Sequence, residues 1–416
     1  MKFKLIVFLK YIGGSQVKNR RYVYYLVFLI VTGLALRLFY AFRGNHAALI
    51  FDQLEYSKLA IQYLEKGIFA YRDTSPNSLV TPGYPWFLII VYRLFGYQPL
   101  DHALLAVRII QSFVSVGAIG LIYLIGKHLF NRPAGIIAAT LMTFYPTYIW
   151  TTSLLTTETL FLSFFLALIY SQIKIIQNNR LSNHLWMGML LAITVLIRPN
   201  VLPLAIIPYL FLWIENRKLY LPAIGLSFSA FVLVMLPWWI RNIVTFHEFI
   251  LLANGGSGNP LLGGTDPYFR QTIDWSQIKE EDQFNEGIRR IKQGFSEDPW
   301  LWFRWFTIGK FMVLFKTPYF YTLPVLIANV LVKLHLIFTW VAWLSLISCR
   351  NRSLRFLTIS LVTLLVIHLL FVPDVRYSFG MYPFLMLGFG YAVSAALQIF
   401  SLIPLQPYSS NKNQSL

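Results

Sequence analysis

The run YYLVFLIVTGLALRLFYAF, residues 24–42, is almost as long as the hydrocarbon core of a bilayer requires, since one transmembrane helix takes about 20 apolar residues. Taking this span as 23–42, comparable runs follow near 105–126, 134–150, 153–173, 184–197, 200–214, 220–240, 321–347, 354–372 and 379–400. Only 12% of residues are charged, half of the roughly 25% of a soluble domain. The chain reads as an all-α polytopic membrane protein of about ten spans.

The formal charge of +18 suggests nucleic acid on a soluble chain, but the positions of the charges exclude that reading. The first 22 residues hold Lys2, Lys4, Lys10, Lys18, Arg20 and Arg21 and no acid. Further basic clusters stand at Lys127/Arg132, Lys174/Arg180, Arg217/Lys218 and Arg350/Arg352/Arg355, each between two apolar runs. Of seventeen acidic residues only Glu215 falls in these segments. By the positive-inside rule they are cytoplasmic. Residues 1–22 then form a basic segment on the cytoplasmic leaflet, and ten spans return the polar tail 401–416 to the same side, disordered. One cysteine, Cys349, excludes an internal disulfide and a Cys-based zinc site.

Two external segments, about 43–104 and 241–320, are too long for simple connections. In the first, Tyr56, Leu59, Ala60, Tyr63 and Leu64 follow amphipathic helical spacing up to Gly67. The stretch TPGYPWFLIIVYRLFG is apolar but too short to span, so it should lie in the interface. So should DPWLWFRWFTIGKFMVLF in the second segment.

Unusual charges mark the candidate site. In FDQLEY, Asp52 and Glu55 have the spacing of a capping box, and a helix N-terminus favours an ionised carboxylate, the state a base needs. Glu158, in TTSLLTTETLFLSFF, falls about one turn inside the fourth predicted span, where a carboxylate is costly and marks function by default. Asp52 and Glu158 together also offer oxygen ligands to a divalent cation. Arg198 in VLIRPNVLP and Arg376 in PDVRYSFGMYP stand in short external connections, where positive charge is disfavoured. Their planar forks suit phosphate oxygens; for Arg376, neutralising Asp374 is the alternative. Arg241 in MLPWWIRNIVTF closes the seventh span beside two interface tryptophans.

No GxxxxGK[ST] loop, GxGxxG, HExxH or DxD pair is present. A transferase working outside the cell without a nucleotide site must take its activated group from a membrane-anchored phosphate. The order Asp52-x-x-x-Tyr56, the PGYP of Pro82 to Pro85, a Ser/Thr-rich stretch ending at Glu158, Arg198-Pro199, Pro237-Trp-x-x-Arg241-Asn242 and Arg376-Tyr377 resembles the GT-C membrane glycosyltransferases. The branch is that of protein O-mannosyltransferases and lipid A aminoarabinose transferases.

The resemblance, over about 23–400, implies a bundle of about ten transmembrane helices with interfacial helices in both external loops. It implies inverting transfer of a sugar from a polyprenyl-phosphate donor to an extracytoplasmic lipid, glycan or protein. Asp52 and Glu158 would be catalytic, Arg198, Arg376, Tyr377 and Tyr84 would bind the donor phosphate, and Tyr56 and Arg241 would line the cavity or meet the acceptor. Two departures stand out. Gln53 replaces the acid that follows the aspartate in O-mannosyltransferases, and the chain ends without the soluble domain some relatives carry. The rival reading is a transporter or lipid flippase, which would keep ionisable groups near the midplane and show internal repeats.

Overall fold

The computed structural model describes residues 2–43, 48–254, 258–320 and 325–400; the expected tail 401–416 lies outside them. Among the described residues the regular structure is helical, with no strand. In chain order the helices are α1 (Lys2–Arg43), α2 (Phe51–Lys66), α3 (Gly83–Phe95), α4 (Leu100–Leu129), α5 (Arg132–Phe144) and α6 (Pro146–Trp150). Then come α7 (Glu158–Gln177), α8 (Leu181–Ile197), α9 (Ile207–Asn216), α10 (Leu221–Phe246), α11 (Gly258–Gly263) and α12 (Gln283–Glu297). The last are α13 (Pro299–Arg304), α14 (Lys310–Phe315), α15 (Val325–Ile347), α16 (Arg352–Leu370) and α17 (Tyr382–Ile399).

Seven are long and apolar enough to cross a membrane: the Arg20–Arg43 part of α1, α4, α7, α10, the Ile327–Ile347 part of α15, α16 and α17. The other three expected spans are helical but shorter. Residues 134–150 divide at Pro146 into α5 and α6, because proline cannot continue the helix that precedes it. The span expected at 184–197 is α8, whose 17 residues reach about 26 Å. That expected at 200–214 is a 3₁₀ stretch from Pro199 to Ile206 leading into α9. The basic N-terminal segment continues the helix of the first span.

The bundle runs laterally from α10 through α8 and α7 to α4, then to α1 and α5, with α17 joining α5 to α15. Without water to drive helices together, membrane bundles depend on close packing and small residues. At Gly188 of α8 an added Cβ would stand 2.0 Å from the Ser227 carbonyl oxygen, so α8 and α10 approach backbone to backbone. At Gly83 it would meet the Leu196 carbonyl oxygen at 2.6 Å. That contact sets the start of α3 against the end of α8, beside Arg198.

Both long connecting segments contain the expected helices. α2 ends at Gly67, whose φ of 70° is the left-handed conformation glycine adopts without steric cost. α3 buries Tyr84, Leu88 and Tyr92 while Trp86, Ile90 and Leu94 remain exposed. In the second loop α13 and α14 join through a π-helical turn, Trp305–Gly309, and Trp300, Phe303 and Ile308 are exposed. Such apolar faces suit helices lying at the lipid boundary.

Candidate active site

The Thr-rich stretch before α7 places the first carboxylate. The span expected to begin at 153 begins at Glu158, after a 3₁₀ turn at Thr151–Ser153. Hydroxyls compete for the backbone here: Thr152 Oγ1 donates to the Ile149 carbonyl at 2.7 Å and Ser153 Oγ to that of Trp150 at 2.8 Å. The non-helical backbone is satisfied from neighbouring helices. Gln111 Nε2 donates to the Thr152 and Leu154 carbonyls, both at 2.9 Å, and Gln53 Oε1 accepts from the Leu155 amide at 3.2 Å. Glu158 therefore stands at a helix N-terminus rather than one turn inside a span, where the helix dipole favours its charge.

Asp52 also departs from its expected place. α2 begins at Phe51 with Ile50 as N-cap and no side-chain cap, and Glu55 pairs with Lys58 at 3.0 Å instead of reaching back. The capping box does not form because Asp52 has stronger partners. Its Oδ1 accepts from Tyr71 Oη at 2.8 Å and Arg72 Nη2 at 3.2 Å, and its Oδ2 from Arg376 Nη1 at 2.9 Å. Hydrogen bonds from charged donors exceed a neutral backbone bond by about twofold.

The two arginines arrive from opposite directions. Arg198 closes α8 and precedes a proline, which forces it out of the helical region to φ −146°, ψ 114°. Its Nε donates to Thr157 Oγ1 and its Nη2 to Glu158 Oε1, each at 2.8 Å, with the guanidinium over the Phe161 ring. Arg376 sits in a 3₁₀ turn, Val375–Gly380. Asp374 accepts the Arg376 backbone amide at 2.7 Å, fixing the turn, while the side chain turns to Asp52 and Glu158. Its Nε donates to Glu158 Oε1 and its Nη2 to Glu158 Oε2 at 3.4 Å. Burial alone would lower the Arg376 pKa, but the charge and hydrogen bonds of Glu158, with Asp52, raise it further above its ordinary value.

The cluster is thus a chain of ion pairs, Arg198–Glu158–Arg376–Asp52–Arg72, with accessibility rising outward from Glu158. Side-chain exposure is zero at Glu158, 15% at Arg198, 25% at Arg376, 31% at Asp52 and 58% at Arg72. Glu158, expected to be catalytic, is fully buried behind two guanidinium groups. The carboxylates do not fit a divalent cation, because Arg376 lies between them. Among the described residues no group of three or more His, Cys, Asp or Glu side chains could hold a metal.

The tyrosines divide. Tyr56 is buried one turn beyond Asp52, its ring 5.2 Å from Tyr71 and 5.3 Å from Tyr84. Tyr84, expected at the donor phosphate, is fully buried and donates its hydroxyl to Gln111 Oε1 at 3.1 Å, so it props the Thr-rich stretch from beneath. Tyr377 is half-buried with its ring 5.8 Å from that of His368, beside Arg376. Arg241 stands apart from the ion pairs. It donates to Asn242 Oδ1 and the Phe69 carbonyl, each at 2.9 Å, amid the rings of Phe69, Trp238 and Phe246. It holds the loop after α2 rather than lining the cluster.

Tyr71 and Arg72 carry no signal in the sequence reading. Their place depends on Asn77, which accepts the Tyr71 amide and donates to the Tyr71 carbonyl, both at 3.0 Å. Burial and the neighbouring Asp52 charge raise the Tyr71 phenol well above its usual pKa, keeping it a donor.

A family model described as dolichyl-phosphate-mannose-protein mannosyltransferase matches residues 79–240. A search of curated protein sequences returns no match. Among solved structures, ArnT from Cupriavidus metallidurans bound to undecaprenyl phosphate is similar at 14% identity and a TM-score of 0.56, over 90% of this chain and 62% of ArnT. The Archaeoglobus fulgidus oligosaccharyltransferase in its apo form is similar at 12% identity and a TM-score of 0.56, over 93% of this chain and 52% of that one. The same archaeal enzyme, AglB, in complex with an inhibitory peptide and a dolichol-phosphate gives 13% identity and a TM-score of 0.53, over 94% and 52%. This chain spans 52–62% of the length of those proteins. It is a multi-pass membrane protein with the GT-C fold, and it resembles the glycosyltransferase branch of the protein mannosyltransferases and ArnT.

Proposed function

We propose that the chain is an inverting glycosyltransferase that moves a sugar from a polyprenyl-phosphate donor to a hydroxyl of an extracytoplasmic lipid, glycan or protein. The observation that carries this reading is the position of Arg376, one guanidinium shared between the accessible Asp52 and the sealed Glu158. A base and an anion-binding group lie within one hydrogen bond of each other at the outer end of the bundle. Undecaprenyl phosphate in ArnT and dolichol-phosphate in AglB are the ligands of its structural neighbours, which supports a lipid phosphate here.

Asp52 takes the proton of the acceptor hydroxyl, whose oxygen attacks the anomeric carbon as the bond to the phosphate oxygen breaks on the opposite face. A single displacement with one accessible base gives inversion. Arg376 and Arg198 meet the negative charge that develops on the leaving phosphate; Arg72, the most exposed of the three arginines, exchanges its bond to Asp52 for one to the phosphate. One preorganised donor of this kind contributes about 3–4 kcal/mol to the transition state. No step requires a metal.

The cluster lies at helix ends rather than at mid-bundle, against the placement expected of a transporter. With sixteen acids opposite the basic segments, the reading sets the protein in the plasma membrane with both termini cytoplasmic and Asp52 outside. The test is mass spectrometry of surface lipids, glycans and proteins from cells with and without the gene, complemented by wild type or Asp52→Asn. A group lost with the gene and restored only by wild type is the expected result; restoration by Asp52→Asn removes the base.

A further inference from the structure

Glu158 is fully buried, yet both of its oxygens are held by arginines that are partly exposed. Three guanidinium groups, Arg72, Arg198 and Arg376, face two carboxylates, Asp52 and Glu158, leaving the cluster one net positive charge. A sugar phosphodiester carries one negative charge, and the monoester it leaves behind carries up to two. The acceptor proton arrives at Asp52 in the same step. Asp52 then loses its charge, and the cluster rises to two positive charges as the phosphate gains its second.

We infer that Glu158 is a positioning residue that sets this balance. As the one carboxylate of the pair that no proton from the acceptor can reach, it holds Arg198 and Arg376 in place. It also keeps the cluster from gripping a dianionic lipid phosphate before and after the transfer. Arg376, bonded to both carboxylates, is the link by which protonation of Asp52 strengthens the hold on the leaving group. The bookkeeping is complete: the bond from the anomeric carbon to the acceptor oxygen forms and that to the phosphate oxygen breaks. The bonding pair departs with the phosphate, and the proton goes to Asp52. The inference rests on the transferase reading above.

The test is the affinity of purified full-length protein in detergent for undecaprenyl phosphate, read beside turnover with the donor. Removing one fixed negative charge within a few ångströms of a bound dianion should tighten binding by about tenfold or more. Glu158→Gln is therefore expected to bind the lipid phosphate at least about tenfold more tightly, with a lower kcat and no rise in donor KM. A residue that served only to pack the fold would weaken binding or leave it unchanged, and either result in a folded Glu158→Gln protein overturns the inference. Should that variant fail to fold, Asp52→Asn removes the other carboxylate of the same cluster from an accessible position. It must also bind the lipid phosphate more tightly while its turnover falls, and unchanged affinity there overturns the charge balance. Wild type that neither binds undecaprenyl phosphate nor transfers from a polyprenyl donor would instead remove the transferase reading itself.

Discussion

Arg37 and Arg376 are both withdrawn from solvent in a protein that lives in lipid, and they are held in opposite ways. Arg37, in the first span, is fully buried and meets only neutral acceptors: Ser115 Oγ at 2.8 Å and the carbonyls of Gly33, Thr143 and Met142 between 3.0 and 3.4 Å. Arg376 meets two carboxylates, one of them partly open to solvent. Carbonyl oxygens fixed in a backbone cannot be exchanged for a ligand. A partly exposed carboxylate can, because an incoming phosphate offers the same charge and the same bidentate geometry. The first arginine joins α1 to α4 and α5; the second is the one we propose meets an anion. The difference lies above all in the partners: fixed neutral acceptors for Arg37, and for Arg376 a carboxylate partly open to solvent.

The largest effect should come from the exchangeable end. Asp52→Asn keeps the shape and one acceptor oxygen, but it replaces the other oxygen with an amide donor and removes the base, and should lower kcat by about 10²–10⁴-fold with little change in folding. Steady-state transfer from a polyprenyl-linked sugar to a hydroxyl acceptor measures it. Retention of more than a tenth of wild-type turnover would mean that Asp52 only anchors Arg376. Next is Arg376→Lys, which keeps the charge but cannot bridge Asp52 and both oxygens of Glu158. A loss of about 10²–10³-fold in kcat is expected, and near-normal turnover would erase the contrast with Arg37.

How much of this was legible in sequence depends on whether a residue's role follows from its neighbours in the chain. Arg198 and Arg376 were visible because they are positive charges where positive charge is disfavoured, and Asp52 because it follows a span and opens an amphipathic helix. Glu158 was visible as an acid among apolar residues, but its position was misplaced by about one turn. Hydropathy counts 153–157 as the start of a span and does not register the hydroxyl and Gln111 contacts of a non-helical stretch, which put Glu158 at a helix start. Tyr84 looked accessible in PGYP and is sealed by Gln111, 27 residues away. Tyr71 and Arg72 lie in a polar loop whose course is set by Asn77, and no periodic pattern reports such a contact. The seven long helices were plain in hydropathy, whereas the breaks at Pro146 and after Arg198 moved the boundaries of the shorter ones.

Removing the Arg37 guanidinium sharpens the other side of the comparison. Arg37→Met fits an apolar span but leaves buried carbonyl oxygens with fewer partners, at about 1–3 kcal/mol. Thermal unfolding in detergent should shift down accordingly, while kcat for the protein that remains folded stays near wild type. A fall in kcat without a fall in stability would show that Arg37 belongs to the cluster.

Arg241 makes the smallest expected change and the finest test. Like Arg37 it donates to a backbone carbonyl, that of Phe69, but it also lies amid three aromatic rings and sits two residues in the chain from Tyr71 through that carbonyl. Arg241→Leu removes ring contacts worth about 0.5–2 kcal/mol in a partly desolvated setting and frees the Phe69 carbonyl. Stability should drop by about 1 kcal/mol. Asn77 still clamps Tyr71 on both backbone atoms, so the Tyr71 bond to Asp52 survives and kcat should stay within about threefold of wild type. If turnover instead falls as far as in Arg376→Lys, the Phe69 carbonyl is transmitting Arg241 to the base. Partner chemistry would then no longer separate the arginines that build this fold from those that work in it.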